Sequence, residues 1–600
     1  MKRINNTSIK IWCLLGLTSV ALSGQAQENK ETNLNREMTI EREYDPSVQD
    51  ANKVNTLPEV KEPEVRKIPI DYASFQLPIS PSKEVSLLPS GSAMTKLDYN
   101  KKRGYLNFGA GNYLNINGDV GYHILATERD QMNLYFTHRS TNGKVEYLQL
   151  QEKVKAKIND NLGGLNYRHQ FDKAAFKIGA RYGYSGFNYY GLPLTLSGNP
   201  ITQEEFAEYG DRETNQAAQT IHAYTGVASN PGAAFGYSLD VDYTNFSYKY
   251  GWVKEFDGAT EHTIGGRLDL NGALGDAGRI GLAAGVKSFS YNLPELPYRD
   301  GATPYIPYSF ENYAEISASP YFLTGGRNWS VKLGVNLIYI TGDDSQFMAT
   351  PNVGVQVGLG AKTTFYASAT GQVQSNSMHD VAQMNRYVNP TQGIAPTQHW
   401  LNSVIGIKSG VIPGFWFDIF GGYNIMKDDL LFVPMTPSSH KSAFANMSES
   451  LGFVDFNHLF VGASLKFSYR KYVDIYLKGQ YNHADISRDD APDQDQSWAE
   501  IPPYGRPKIE IGAGVTVRPI SPLSLSLDYA FAKDRCTLLN RKEIVPLDNI
   551  NDLNFTAQYA FNDTFGLYVK LNNILMTEYD IYYGYPAQRF NMMAGININF

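Results

Sequence analysis

The chain has 600 residues, a formal net charge of −7, 53 glycines and 41 tyrosines. Its acidic balance argues against nucleic-acid binding, and the lack of any run of about 18 apolar residues after the extreme N-terminus excludes helical membrane spans. Negative mean hydropathy leaves a membrane β-barrel open, because half of each strand in such a barrel faces water.

Residues 1–26 have the pattern of a secretory signal peptide. A basic start precedes an apolar core at 11–22, and Gly24-Gln25-Ala26 offers the small residues that a signal peptidase requires. The sequence therefore predicts export, and removal of three positive charges takes the net charge from −7 to about −10. The mature chain keeps a single cysteine, Cys536, so no intrachain disulfide is expected.

A charged, proline-rich segment follows at 27–102. Its prolines recur too often for a helix or a sheet ladder, which predicts an extended periplasmic segment. Within it, Met38, Thr39 and Ile40 form a short strand-like stretch of the kind that adds to the edge of a partner sheet. This stretch loosely resembles a TonB box, and the resemblance implies TonB as a partner. The alternative is a charged linker whose strand pattern is incidental.

Apolar and polar residues alternate from about residue 103 to the end of the chain. In the last stretch, Arg589–Phe600, one face is apolar and the other carries amides. The apolar residues that we interpret as the terminal strand recognised by the barrel-assembly machinery are Phe590, Met592, Ile596, Ile598 and Phe600. A strand with lipid on one side and water on the other requires this alternation. The pattern predicts an all-β transmembrane antiparallel barrel over 103–600.

Long and short connections between these strands alternate almost strictly. Short turns such as Asn230-Pro231-Gly232 and Ile412-Pro413-Gly414 contain the residues that tight turns need. Long links such as 191–213 and 377–397 lie between them. Outer-membrane barrels have short periplasmic turns and long extracellular loops. We therefore predict about 22 strands in the cell outer membrane, with both termini periplasmic.

Two patches resemble the barrel of TonB-dependent outer-membrane receptors. The first comprises Val569, the run from Asn572 to Tyr579, Gly584-Tyr585-Pro586 and Arg589, which is similar to the family's penultimate strand and last loop. The second is Asn389-Pro390 with Ala395-Pro396-Thr397, which looks like the family's loop before a mid-barrel strand. The resemblance implies a receptor-type barrel of this strand number.

The chain departs from that family before the barrel. Family members carry a globular plug of well over a hundred residues, and 27–102 is too short and too rich in proline to form one. A barrel of about 22 strands has a lumen that side chains alone do not fill. We expect the N-terminal segment and inward-folded loops to fill it, or else another protein.

Candidates for site chemistry are few, and we predict neither an enzyme nor a cofactor. The acidic residues between Asp485 and Asp495 lack the spacing of an EF-hand, and we interpret them as a solvated loop. His379-Asp380 and Ser438-Ser439-His440 lack the setting of a catalytic dyad or triad.

Aromatic residues near the loop ends are stronger candidates. Tyr189-Tyr190 is one such group. Tyr582, Tyr583 and Tyr585 form another, and we single out these three as candidate ligand-facing residues. A girdle at the lipid interface is the simplest interpretation; a vestibule that stacks against sugars is the alternative.

Uptake or passage of a nutrient across the outer membrane is the leading functional hypothesis. The alternative is a non-transporting scaffold whose periplasmic arm binds another outer-membrane protein or a lipoprotein, because about 75 extended residues reach on the order of 200 Å. Expected partners are outer-membrane lipid, the barrel-assembly machinery and TonB, with no nucleic acid.

Overall fold

The computed structural model describes the barrel and most of its connections. It describes residues 102–150, 152–192, 214–252, 254–275, 278–294, 308–342, 345–360, 362–410, 412–435, 448–450, 454–487, 502–539 and 543–600. The signal peptide, the proline-rich segment with Met38, Thr39 and Ile40, the group Ser438-Ser439-His440 and the acidic residues from 489 to 495 lie outside these residues.

Twenty-two antiparallel strands form one closed barrel, as the alternation of the sequence predicts. Each strand pairs with the next along the chain, and the last barrel strand pairs with the first, from Tyr105 opposite Asn599 to Gly111 opposite Met593. The barrel strands are β1 Gly104–Gly111, β2 Ile116–Ala126, β3 Asp130–Glu146, β4 Lys153–Gln170, β5 Ala174–Asn188, β6 Asn215–Ser229, β7 Phe235–Tyr248, β8 Thr260–Leu274, β9 Gly278–Asn292, β10 Tyr313–Gly325, β11 Trp329–Ile340, β12 Gln346–Gly358, β13 Thr363–Gln374, β14 Thr397–Ser409, β15 Phe415–Asp429, β18 Val454–Tyr469, β19 Val473–Ser487, β20 Ile509–Ile520, β21 Leu523–Lys533, β24 Ile550–Ala560, β25 Phe565–Asn572 and β28 Asn591–Asn599.

Small elements lie in the connections between barrel strands. Three hairpins pair β16 Phe432–Pro434 with β17 Ser448–Ser450, β22 Arg535–Leu539 with β23 Glu543–Leu547, and β26 Asp580–Tyr582 with β27 Tyr585–Pro586. A 3-10 turn occupies Asn112–Leu114, and one α-helix, α1, occupies Met378–Met384. In the part of the chain that the structure describes, no helix is long and apolar enough to cross a membrane.

The barrel has two distinguishable ends. Tight turns such as 470–472 and 521–522 join strands at one end, called here the turn end, and long links such as 375–396 join them at the other, called the loop end. At the turn end, the amide of Gly104 donates to the carbonyl of Phe600 at 2.8 Å, and the amide of Phe600 donates back at 2.9 Å. The barrel therefore begins and ends at its turn end.

The two faces of each strand differ as the alternation predicts. On the outer face large apolar side chains are exposed, including Leu459, Val461 and Met592, and so is Phe600 at the end of the chain. On the inner face of β21, Ser526 and Asp528 are buried. Because apolar side chains are stable when exposed to lipid, this distribution fits a membrane-spanning wall around a polar lumen.

Tyrosines brace the inner wall over glycines on the neighbouring strand. Tyr476 of β19 lies across Gly514 of β20 and donates to a carboxylate oxygen of Asp528 on β21 at 3.0 Å. A Cβ atom at Gly514 would lie 2.2 Å from the Tyr476 ring. The same arrangement recurs as Tyr366, Gly406 and Asp418, and as Tyr321, Gly281 and Asp269. These braces account for part of the high content of tyrosine and glycine.

Candidate functional site at the loop end

The connection between β13 and β14, residues 375–396, folds into the barrel mouth and is called here the inward loop. Its helix α1 begins after Ser377, whose hydroxyl oxygen accepts from the amide of Asp380 at 3.2 Å as an N-cap. Met378 and Val381, three residues apart, put both apolar side chains on the buried side of the helix. Asn376 closes the neck of the loop by donating to the carbonyl of Ala395 at 2.8 Å.

An ion pair joins the inward loop to the far part of the wall. The two guanidinium nitrogens of Arg386 donate to the two carboxylate oxygens of Asp160 on β4, at 3.0 and 3.3 Å. β4 and β13 are nine strands apart in a ring of 22. The inward loop must therefore cross the lumen to make this contact. The pair Arg386–Asp160 is called the latch below.

Nearer contacts hold α1 against the wall. Lys287 on β9 donates to the hydroxyl of Ser375 at 3.2 Å and lies 3.8 Å from a carboxylate oxygen of Asp380. The amide of His379 donates to the buried carboxylate of Glu261 on β8 at 3.4 Å. Burial lowers the pKa of His379 to about 4, so the imidazole is neutral at physiological pH.

Four tyrosines from three connections meet in the centre of the mouth. This tyrosine cluster consists of Tyr189 and Tyr190 after β5, Tyr387 in the inward loop and Tyr585 in the last loop. The rings of Tyr387 and Tyr585 stack with centroids 4.1 Å apart, and those of Tyr190 and Tyr585 meet edge to face at 5.0 Å. Burial raises the pKa of Tyr585 well above its ordinary value. The cluster therefore packs like a small hydrophobic core.

The aromatic residues singled out from the sequence separate into two groups. Tyr189, Tyr190 and Tyr585 are 1–5% exposed and pack on protein rather than at the lipid interface. The cause is the crossing of the lumen by the loops, which no local pattern indicates. Tyr582 and Tyr583 are partly exposed, and the Tyr582 hydroxyl donates to the carbonyl of Met384 at 2.9 Å.

Further connections extend this layer across the mouth. The backbone amide of Asn389 donates to the carbonyl of Ser448 at 2.8 Å, and the backbone amide of Leu192 donates to the carbonyl of Gly584 at 2.9 Å. Arg506 forms an ion pair with Asp429 at 2.8 Å. The connections that make up this layer, called here the lid, are the inward loop and 189–192, 429–435, 502–508, 534–539, 543–549 and 573–590.

One carboxyl group in the lid, that of Asp580, is almost completely buried. Asp580 is 2% exposed; its Oδ2 accepts from the amide of Gly584 at 2.7 Å, whereas its Oδ1 has no hydrogen-bond partner among the described residues. Burial raises the pKa of Asp580 to about 6. Nearby, Arg535 donates to the carbonyls of Asp580 and Ile581 at 3.0 and 2.6 Å. The last loop is thus fixed mainly through its backbone.

The described contacts of the lid are ion pairs, hydrogen bonds and packed rings. His379 and Asp380 lie on α1 against the wall, and their ring nitrogen and carboxylate oxygen are 3.8 Å apart. Among the described residues, no group of three or more His, Cys, Asp or Glu side chains is placed to hold a metal ion. Sequence reasoning missed Arg386 and Asp160, although an aspartate on the polar face of β4 was a visible signal.

Structural comparison identifies the fold of this barrel. The FrpB iron transporter from Neisseria meningitidis superposes with a TM-score of 0.61 at 10% identity, over 84% of this chain and 82% of that one. The siderophore receptor PirA from Acinetobacter baumannii gives 0.60 at 11%, over 84% and 81%, and the copper transporter OprC gives 0.58 at 11%, over 83% and 80%. The sequence matches no protein-family model and no curated protein. The chain therefore has the barrel fold of TonB-dependent outer-membrane receptors.

Proposed function

We propose that the protein takes up a small nutrient through its lumen and that the lid gates its entry. In this proposal the loop end faces the cell exterior, and both termini are periplasmic. The observation that carries the proposal is the latch, because it draws a loop across the mouth of a barrel whose inner wall is polar.

The proposed class of solute is suggested by the fold neighbours. Those proteins are a transporter of iron, a receptor for siderophores and a transporter of copper. We propose a solute of comparable kind, a metal or a metal chelate, that binds first to the exposed side of the lid. The partly exposed Tyr582 and Tyr583 in the last loop are candidates for that contact.

Energy for opening is proposed to come from TonB. Met38, Thr39 and Ile40 have the pattern of a strand that adds to a partner sheet. A Thr39→Pro variant removes one backbone donor from that strand and is expected to abolish uptake without changing the amount of barrel in the membrane. Normal uptake by this variant would exclude TonB coupling through this stretch.

Planar-bilayer conductance tests the transport proposal directly. We expect low conductance from the intact barrel and a large, steady conductance from a variant in which residues 377–395 are replaced by a short Gly-Ser turn, because the crossing is then lost. The matched control is Arg129→Gln, which removes an exposed ion pair with Asp172 at the turn end. A loop-deleted barrel that folds but does not conduct contradicts passage through the lumen.

A further inference from the structure

The outer wall of β2–β6 contains an apolar groove. Gly163 and Ala180 lack long side chains there, and taller neighbours surround a depression of about 640 Å³. The taller side chains are Val120, Tyr122, Leu134, Phe136, Leu165, Tyr182 and Ile221. Most of them are strongly exposed on the outer face. In a membrane this groove is open to acyl chains, because hydrocarbon surrounds the wall at this level.

Four lysines have outward parity above the groove on the same strands: Lys144 of β3, and Lys153, Lys155 and Lys157 of β4. Lys144 of β3 and Lys155 of β4 are direct cross-strand partners in an uninterrupted register, and both are exposed. Lys144 has the parity of Leu134 and Phe136, so it points outward as they do. The ammonium groups of Lys144 and Lys155 make no hydrogen bond or ion pair with another described residue, although the Lys155 carbonyl accepts from the Asn188 side chain at 2.8 Å. Like charges directly opposite each other destabilise an antiparallel pair, and an anion between them removes that repulsion.

The height of the lysines fits the headgroup region. A transmembrane strand needs about 9–11 residues, whereas β3 has 17 and β4 has 18. These strands therefore extend beyond the hydrocarbon. Lys144 lies eight residues beyond Phe136, which is about 27 Å along the strand and about 20 Å in height at the usual strand tilt of about 40°.

Polar side chains occupy the outer face between the groove and the lysines. His138 contacts the side-chain oxygen of Asn161 at 2.8 Å and the hydroxyl of Ser140 at 3.0 Å, and Asn142 and Asn159 are exposed above them. This strip suits sugar hydroxyls, which donate and accept hydrogen bonds. A glycerophospholipid has no sugar layer of this height, whereas an anionic glycolipid has one.

We propose that the outer face of β2–β6 binds one molecule of lipopolysaccharide. An acyl chain lies in the groove, sugar hydroxyls contact the strip around His138, and a phosphate or acidic sugar lies between Lys144 and Lys155. The inference rests on the orientation proposed above, in which the loop end faces the outer leaflet. It does not depend on whether the lumen conducts.

Native mass spectrometry of the full-length barrel tests this site. The purified protein is titrated with a rough-type lipopolysaccharide, and the fraction carrying one bound molecule is measured. We expect Lys144→Ala with Lys155→Ala to weaken binding about 10- to 30-fold, since each lysine near an anionic surface contributes a few-fold to tenfold. Gly163→Leu, which fills the groove, is expected to weaken binding without changing any charge.

The control removes two other exposed, outward lysines at the loop end, Lys427 and Lys533, and is expected to bind as the wild type does. A second titration uses phosphatidylglycerol, which has the anionic charge but no sugar, and we expect it to compete poorly. Equal binding by all variants, or competition by phosphatidylglycerol at equal concentration, overturns the proposal. Because bilayer conductance is not measured here, failure of this site is distinguishable from failure of the transport proposal.

Discussion

Replacement of Arg386 by glutamine tests whether the latch holds the lid closed. The guanidinium makes two charge-assisted hydrogen bonds to Asp160, and its carbon lies 5.9 Å from the centroid of the Phe187 ring. Glutamine keeps much of the side-chain volume and loses the charge. The change therefore removes the latch and leaves the inward loop and its helix intact.

The expected free-energy change for Arg386→Gln follows from how exposed the Arg386–Asp160 pair is. The side chains of Arg386 and Asp160 are 32% and 34% exposed, so the pair lies between an exposed ion pair, worth at most about 1 kcal/mol, and a buried one, whose disruption costs about 3–5 kcal/mol. Arg139 is the cross-strand partner of Asp160 and leaves that carboxylate with a cationic neighbour. We therefore expect about 1.4 kcal/mol, which is a tenfold change in the closed-to-open ratio.

Two measurements check this value. Single-channel recording is expected to show about tenfold more opening for Arg386→Gln, and hydrogen exchange is expected to quicken in 375–396 while the barrel strands stay protected. Asp160→Asn and the double variant complete a cycle, and the double variant is expected to resemble either single one. Unchanged gating in Arg386→Gln, or fully additive effects, would falsify the assignment of this pair as a latch.

Three further predictions concern the braces, the tyrosine cluster and the buried acid. Gly514→Val forces the Tyr476 ring away and is expected to lower barrel stability by about 2–4 kcal/mol, measured as the unfolding midpoint in urea; Gly479→Val on the outer face, where a Cβ meets nothing within 4 Å, is expected to change it little. Tyr387→Ala removes the stacked centre of the lid and is expected to open the mouth to conductance at a cost of about 3–5 kcal/mol in lid stability, whereas Tyr387→Phe keeps the stack and stays closed. Because burial raises the pKa of Asp580 from 3.8 to about 6, the folded lid favours the protonated acid, and its protection from exchange is expected to fall as pH rises from 4 through 6. Asp580→Asn abolishes this dependence.

Contrary outcomes are equally specific. Equal loss of stability in the two glycine variants shows that crowding against Tyr476 is not the cause. Conductance in Tyr387→Phe assigns the effect to the hydroxyl rather than to the stacked ring. A lid that becomes more protected as pH rises contradicts the burial of Asp580, since an acid with a raised pKa in the folded state loses its stabilising contribution above that pKa.

The wall of the barrel was predictable because its determinants are local. Solvation imposes a two-residue period on every strand, so Leu459 and Val461 indicate the outer face wherever they lie. Turn residues such as Asn230-Pro231-Gly232 indicate the turn end of the barrel from the local sequence alone. Strand number, order and the position of the two ends follow from these signals.

The lid was not predictable because it depends on contacts between distant parts of the sequence. Arg386 meets Asp160, which lies 226 residues earlier, and no alternation or spacing relates them. The sequence marks Tyr585 as an aromatic residue near a loop end, which is equally compatible with lipid, sugar or protein as its neighbour. Only the path of the backbone across the lumen decides among the three.

The way the lid satisfies its own backbone suggests how it opens. Asparagine side chains close two of the connections internally: Asn376 donates across the neck of the inward loop, and the Asn573 side chain accepts from the amide of Thr577 at 3.0 Å and donates to its carbonyl at 2.8 Å. These bonds satisfy backbone groups within a connection, as a stable loop requires. The joints between connections include the latch, the ring stack of Tyr387 on Tyr585 and the backbone bond from Leu192 to Gly584.

In the gating proposed above, separation at these joints is expected to leave the hydrogen bonds within each connection in place. A ligand that binds the open arrangement more tightly by a few kcal/mol is then sufficient to reverse the equilibrium. In the proposed gating, a lid built from such connections lets a difference in binding energy shift the barrel between its closed and open arrangements.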